Sequence, residues 1–242
     1  ITFKAPNKLI YDNVYCLELF HGPTLAFKDF GARFMARCME CFIKHLDKKI
    51  NILVATSGDT GSAVAHGFYD VKGINVIILY PRGKVSEIQE KQLTTLDKNI
   101  FSLEVDGTFD DCQQLVKNAF LDKFLKEKIN LSSANSINIA RLIPQTFYYA
   151  HSYLQLKNKS IPTVFSVPCG NFGNITAGVI AKRMGIPIHQ FIAATNLNNV
   201  VPNYFETGIY KPKKSIRTLS NAMDVGNPSN MVRIMDIYKT LD

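Results

Sequence analysis

One pattern constrains the fold more than any other. An apolar run rich in β-branched residues is followed by a glycine-bearing polar loop and then by a helix of small residues. NILVATS (51–57) leads through SGDTG into the helical SAVAHGFY, and TVFSVP (163–168) leads through CGNFGN into ITAGVIAKRMG. NVIILYP (75–81), FSLEVDG (101–107) and IHQFIAATN (188–196) are further strand-like runs. Apolar strands separated by helices predict βαβ units, with mostly parallel sheets covered on both faces. Helices are predicted over SEIQEKQLTTL, over MVRIMDIYKTLD, and over FDDCQQLVKNAFLDKFLKEK as one piece, opened by Thr108 with Asp110 and Asp111 in its first turn. Phe27, Phe30, Phe34, Cys38 and Phe42 recur at helical spacing and predict an amphipathic helix near the start. The stretch from about 128 to 145 lacks a clear period and contains Pro144, so it is expected to cross between two lobes.

Composition narrows the function classes. With 46% hydrophobic and 20% charged residues in 242, the chain is of ordinary globular kind. No apolar run reaches 18 residues, and ITFKAPNKL lacks the regions of a signal peptide, so a cytoplasmic protein without membrane partners is expected. The net charge of +8 raises nucleic acid as a partner, in the form of a non-catalytic basic binding module. The basic residues are scattered, however, and no zinc-finger or RNP-type stretch is present. A preference for anionic ligands is the milder inference, and no nucleic-acid partner is expected. Five cysteines and five dispersed histidines give no zinc-ligand spacing, so no metal is expected. Cys38 and Cys41 are expected to be core thiols on one helix face. The chain has no initiating methionine, and its last helix has no natural end in view. It is therefore expected to be a piece of a longer protein.

Three loops and one lysine carry candidate chemistry. In HGPTLAFKDFGARF (21–34), Lys28 stands between Phe27 and Phe30. Most lysines are solvated, but a desolvated one has a lowered pKa and can form a Schiff base. Ligands of open parallel sheets bind where strands end and helices begin. Thr56-Ser57-Gly58-Asp59-Thr60-Gly61 and Gly170-Asn171-Phe172-Gly173-Asn174 have that setting, and neither is a P-loop or a dinucleotide fingerprint. The second has no acid, so its amides suit a phosphate; the first carries Asp59 and suits a ligand read by Thr56, Ser57 and Thr60. Either loop alone also reads as a tight turn into a helix. Asn135 and Ser136 with Arg141 make a second anion pocket, or else a turn beside a surface salt bridge. Taken together these features describe pyridoxal phosphate chemistry on a phosphorylated amino acid.

HGPTLAFKDFG, ATSGDTGSAVAHGFY, SANSINIARLIPQ, VPCGNFGNITAGVIAKRMG, FIAATN and TLSNAMDVGNPSN occur in that order between about residues 17 and 230. Together they resemble the threonine synthases of bacteria and fungi, over nearly the whole chain. The resemblance implies an α/β fold of fold-type II pyridoxal-phosphate enzymes (tryptophan synthase β-like), with two open twisted mostly parallel sheets flanked by helices. It implies a larger domain of 1–46 and 146–242, missing its C-terminal part, and a smaller one of 47–145, with the cofactor in the cleft between them. By resemblance Lys28 holds pyridoxal 5'-phosphate and acts as catalytic base. Gly170, Asn171, Phe172, Gly173 and Asn174 bind the cofactor phosphate, and Asp59 lies beside the ring's 3-oxygen. Thr56, Ser57, Thr60, Asn135, Ser136 and Arg141 face the substrate. The implied reaction converts O-phospho-L-homoserine and water to L-threonine and phosphate, by a monomer or homodimer. A phospho-lyase acting on O-phospho-homoserine or O-phospho-threonine is the alternative. The family's C-terminal portion supplies a hydroxyl facing the pyridine nitrogen, so the fragment alone is expected to have weak activity or none.

Overall fold

A computed structural model of the chain describes residues 1–44, 49–56, 58–135 and 138–239. Two compact units divide it: Ile1–Ala5 with Glu18–Arg141, and Pro6–Leu17 with Leu142–Asp242. The second unit opens with β1 (Asn7–Tyr11) and β2 (Val14–Leu17), an antiparallel hairpin that the sequence reading did not foresee. Asp12 takes φ 45° in its turn, a conformation that Asp tolerates better than most residues.

The first unit contains α1 (Lys28–Ile43), β3 (Ile50–Ala55), α2 (Asp59–Phe68), β4 (Ile74–Pro81), α3 (Glu87–Thr94) and β5 (Ile100–Val105). α4 (Phe109–Leu121), α5 (Lys123–Lys128), β6 (Asn130–Ser133) and α6 (Ile139–Leu142) follow. The four strands pair in parallel in the order β5-β4-β3-β6. Alternation along β3 shows how both faces are covered. Ile52 and Val54 join Val76, Ile78, Ala32, Met35, Val64 and Phe68 on one side, while Leu53 and Ala55 join Cys112 and Val116 on the other. Full burial of a Val, Ile or Phe side chain contributes roughly 1.5–3 kcal/mol, so this two-sided core holds the strand ends in place.

Helix α1 packs on α2 at Gly67, where a Cβ would lie 3.0 Å from both the carbonyl carbon and the Cβ of Ala32. Its contacts with α2 group α1 with residues 47–141. The expected partition placed residues 1–46 with 146–242. The buried face of α1 is Ala32, Met35, Ala36 and Ile43, not the predicted aromatic stripe. Phe27, Phe30, Phe34 and Cys38 are half-buried, and Phe42 and Cys41 are exposed, so the two thiols are not core residues. At the crossing the residue on that face is Ala32, because α2 approaches too closely there for a phenylalanine ring.

The single helix predicted from Phe109 breaks at Asp122, whose carboxylate accepts from Leu125 N at 3.0 Å and caps α5. The stretch predicted to be irregular contains β6, a four-residue strand beside β3, and then α6.

In the second unit a short 3₁₀ turn (Ile143–Gln145) precedes α7 (Thr146–Leu154), β7 (Thr163–Pro168), α8 (Gly173–Arg183), β8 (Ile188–Ala194), α9 (Val200–Thr207) and α10 (Met231–Lys239). β7 and β8 pair in parallel. Tyr149, Phe165 and Phe191 cluster edge-on, and a Cβ on Gly178 would lie 2.6 Å from the Tyr149 ring, so only glycine lets α8 approach. Asn7 ties the hairpin to α7: its Nδ2 donates to Ser152 O at 2.8 Å, and Ser152 Oγ donates to its Oδ1 at 2.9 Å. No helix among the described residues is long and apolar enough to cross a membrane.

Candidate active site

The turn before α1 is built around a buried acid. Thr24 donates from N to Asp29 Oδ2 at 3.0 Å and from Oγ1 to Asp29 Oδ1 at 2.6 Å. Asp29 is 1% exposed, and a Cβ on Gly22 would run into its carboxylate. Lys28 is thereby fixed as the first residue of α1. Asp29→Ala removes the acceptor from two buried donors and is expected to cost about 1–3 kcal/mol, to be measured as a lowered midpoint of thermal unfolding.

The Lys28 amine lies 3.5 Å from Asp59 Oδ2 and 5.6 Å from the centre of the Phe27 ring. Burial holds its pKa below the usual lysine value; Asp59 opposes that shift, and the positive charge of Arg141 adds to it. The N-terminal end of a helix also disfavours a cation. The other oxygen of Asp59, Oδ1, accepts from Gln89 Nε2 at 2.7 Å. Arg141 is 3% exposed and donates from Nη1 to Ala134 O at 2.6 Å, the carbonyl that follows β6. Lys28, Asp59 and Arg141, predicted from three separate segments, therefore form one electrostatic cluster.

The first glycine loop is held open from inside. Thr56 is 1% exposed; its Oγ1 accepts from Gly58 N at 2.9 Å and Gly61 N at 2.8 Å, and donates to Gly58 O at 3.1 Å. That hydroxyl shapes the loop, where the sequence reading had it facing the substrate. Thr60 is half-buried in the first turn of α2. Asn135 bonds both ends of its amide to the backbone of Ala55, accepting from N at 3.3 Å and donating to O at 2.8 Å. It thus joins the carboxyl ends of β3 and β6. Ser57 and Ser136 lie outside the described residues.

In the second unit, Gly170 to Asn174 run from β7 into α8. Phe172 takes φ 59° and is 3% exposed, turning the chain sharply into the helix. The asparagine side chains shape the loop: Asn171 Oδ1 accepts from Ser229 N (2.6 Å) and Oγ (3.0 Å), and Asn174 Nδ2 donates to Pro168 O (2.7 Å). Asn230 Nδ2 donates to Asn171 O at 3.1 Å, and Tyr149 OH donates to Asn174 O at 2.8 Å. Asn174 Oδ1 also accepts from Ile175 N at 3.0 Å, so what the loop offers an anion is the backbone N–H groups of Gly173 and Asn174 at the start of α8. The neighbouring Cys169 is no nucleophile, since burial pushes its thiol up to about 12.

Chemically, the first unit holds a lysine biased towards its neutral, nucleophilic form beside a carboxylate and a guanidinium. The second holds a glycine loop suited to a phosphate. Among the described residues no group of three or more His, Cys, Asp or Glu is placed to hold a metal ion. Two contributors escaped the sequence reading. Asp29 follows Lys28 directly, and Ser86-x-x-Gln89 is a capping-box signature that suggested only a helix start.

Residues 2–242 match the family described as pyridoxal-phosphate dependent enzyme. The chain is 53% identical over 239 residues to the threonine synthase of Buchnera aphidicola subsp. Acyrthosiphon pisum, covering 98% of this chain and 56% of that protein. It is similar to the crystal structure of threonine synthase from Escherichia coli, with a TM-score of 0.91 and 51% identity, covering 98% of this chain and 55% of that one. It is also similar to the PLP-bound threonine synthase from Brucella melitensis, with a TM-score of 0.91 and 40% identity, covering 100% of this chain and 53% of that one. The chain thus spans about half the length of the curated relatives it matches.

Proposed function

The chain belongs to the pyridoxal-phosphate dependent enzyme family, and on that premise we propose that the intact protein is a threonine synthase, converting O-phospho-L-homoserine and water to L-threonine and phosphate. Its parallel-stranded α/β architecture is that of the fold-type II pyridoxal-phosphate enzymes. The observation that carries the reading is the Lys28 amine, desolvated at the end of a helix, beside Asp59 and within the field of the buried Arg141. The relatives that share half or more of its residues are threonine synthases.

The residues present fit the cofactor. Lys28 supplies an amine for its aldehyde, and Gly170, Asn171, Phe172, Gly173 and Asn174 form a loop whose backbone suits its phosphate. Pyridoxal phosphate, when bound, supplies an electron sink for charge developing at the substrate's Cα. Lys28 is the base that takes the Cα proton, a role its bias towards the neutral amine favours. Asp59 stands 3.5 Å away and limits where that amine points. Arg141 supplies the fixed positive charge for the substrate phosphate. We assign Ser57, Thr60, Asn135 and Ser136 to the substrate; of these Thr60 stands in the first turn of α2, and Thr56 and Asn135 shape the end of β3. Overall the Cγ–O bond to phosphate is replaced by a Cγ–H bond, while Cβ exchanges a hydrogen for the hydroxyl of water.

The test is product analysis on the intact protein with pyridoxal phosphate and O-phospho-L-homoserine. Threonine and phosphate released in equal amounts are expected. Phosphate accompanied by 2-oxobutanoate and ammonia would replace this reading with a phospho-lyase, and release of neither would reject it.

A further inference from the structure

One side chain from α3 reaches the lysine cluster. Gln89 sits in the first turn of α3, where its Oε1 accepts from Ser86 N at 3.2 Å and Ser86 Oγ at 3.0 Å. Because a backbone N–H can only donate, that contact fixes which end of the carboxamide faces Ser86. The amino end is then turned towards α2, where it donates to Asp59 Oδ1 at 2.7 Å. The same carboxamide covers Gly58, which has φ 137°, and any Cβ there would collide with it. The oxygen of Asp59 left over, Oδ2, is the one beside Lys28 Nζ.

We propose that Gln89 is a positioning residue, which by donating to one oxygen of Asp59 fixes how that carboxylate is turned and aims its other oxygen at the Lys28 amine. This rests on the reading of Lys28 as the reactive group. A glutamine suits the task because it donates without adding charge. A lysine or arginine in its place would compete with Lys28 for Asp59, and a glutamate would offer the carboxylate no donor and set a second negative charge beside it. The charged groups that bear on Lys28 are Asp59 from α2 and Arg141 from α6, opposite in effect. Gln89 biases the balance by deciding how firmly the first of them is held.

Gln89 also closes the capping box of α3, so the experiment must separate the two roles. In the intact protein freed of cofactor, competitive acetylation with acetic anhydride across a pH series gives the titration midpoint of Lys28, read by mass spectrometry of its peptide. In Gln89→Leu, Asp59 loses its donor and pairs less firmly; the midpoint falls, and labelling of Lys28 below it rises about threefold for each half unit. In Gln89→Glu the added negative charge moves the midpoint up. Ser86→Ala weakens the same cap but leaves Gln89 in place, and the midpoint stays where it is. A Lys28 midpoint unmoved by both Gln89 variants, or moved equally by Ser86→Ala, overturns the proposal while leaving the reactive lysine standing. A wild-type midpoint at the value of surface lysines overturns the reading of Lys28 and this proposal together.

Discussion

Lys28→Ala in the intact protein is expected to lower turnover of O-phospho-L-homoserine at least about a thousandfold, since it removes both the cofactor's anchoring amine and the proposed base at Cα. The fold should survive the change. The lost group is an amine whose charged form is disfavoured by burial, and Asp59 keeps its bond to Gln89. The pH dependence of stability gives a second readout. A lysine held below its ordinary value binds fewer protons folded than unfolded. Wild-type stability therefore rises with pH through the window between the lowered folded value and the ordinary lysine value. Lys28→Ala is expected to flatten that rise, as followed by thermal unfolding across pH. Activity should fall on the acid side, where Lys28 is protonated and cannot accept the Cα proton. A variant that keeps more than a tenth of wild-type turnover removes Lys28 from the chemistry.

What could be read from the sequence follows from which signals are local. β3 and β4 were legible because a strand buried on both faces must be apolar at successive positions, and β7 was legible from its β-branched and aromatic run even though Val164, Ser166 and Pro168 are exposed. The glycine loops behind β3 and β7 were legible because a strand-to-helix turn needs small residues. β6 was missed because Asn130, Ser132 and Ser133 carry no apolar alternation; its place is set by pairing with β3, a non-local fact. The buried face of α1 was missed for a similar reason. Helical spacing identified a stripe of phenylalanines, but the approach of Gly67 to Ala32 decides which stripe can face the partner helix. At the site, residue types pointed to Lys28, Asp59 and Arg141. Sequence could not show that Thr56 closes its own loop, that Asn171 and Asn174 are structural, or that Gln89 reaches Asp59. Those are hydrogen-bond facts between elements, and no spacing rule predicts them.

Gly170→Ala tests the second unit as Lys28→Ala tests the first. A Cβ at this position would lie 2.6 Å from Met223 Cα, 3.1 Å from its carbonyl carbon and 3.2 Å from Ala222 O. All three are backbone atoms, so no rotamer change relieves the clash. The opposing turn is itself anchored: Met223 N donates to Ser220 O at 2.9 Å, and Asp224 accepts from Thr218 N at 2.9 Å and Thr218 Oγ1 at 2.7 Å. Asn198 Nδ2 reaches the same carboxylate at 3.1 Å. With that wall fixed, the 170–174 loop must move, and the amides at the start of α8 move with it. The expected cost is about 1–3 kcal/mol of stability, typical of forcing a methyl group into a closed space. Affinity for pyridoxal phosphate is expected to fall at least about tenfold, equivalent to roughly 1.4 kcal/mol. Thermal unfolding and titration with the cofactor measure the two effects separately. Lost stability with unchanged affinity would show that the loop's contact with the 222–223 backbone is purely structural. Unchanged stability would show that the 220–224 turn yields, and that its polar anchors are weaker than their geometry implies.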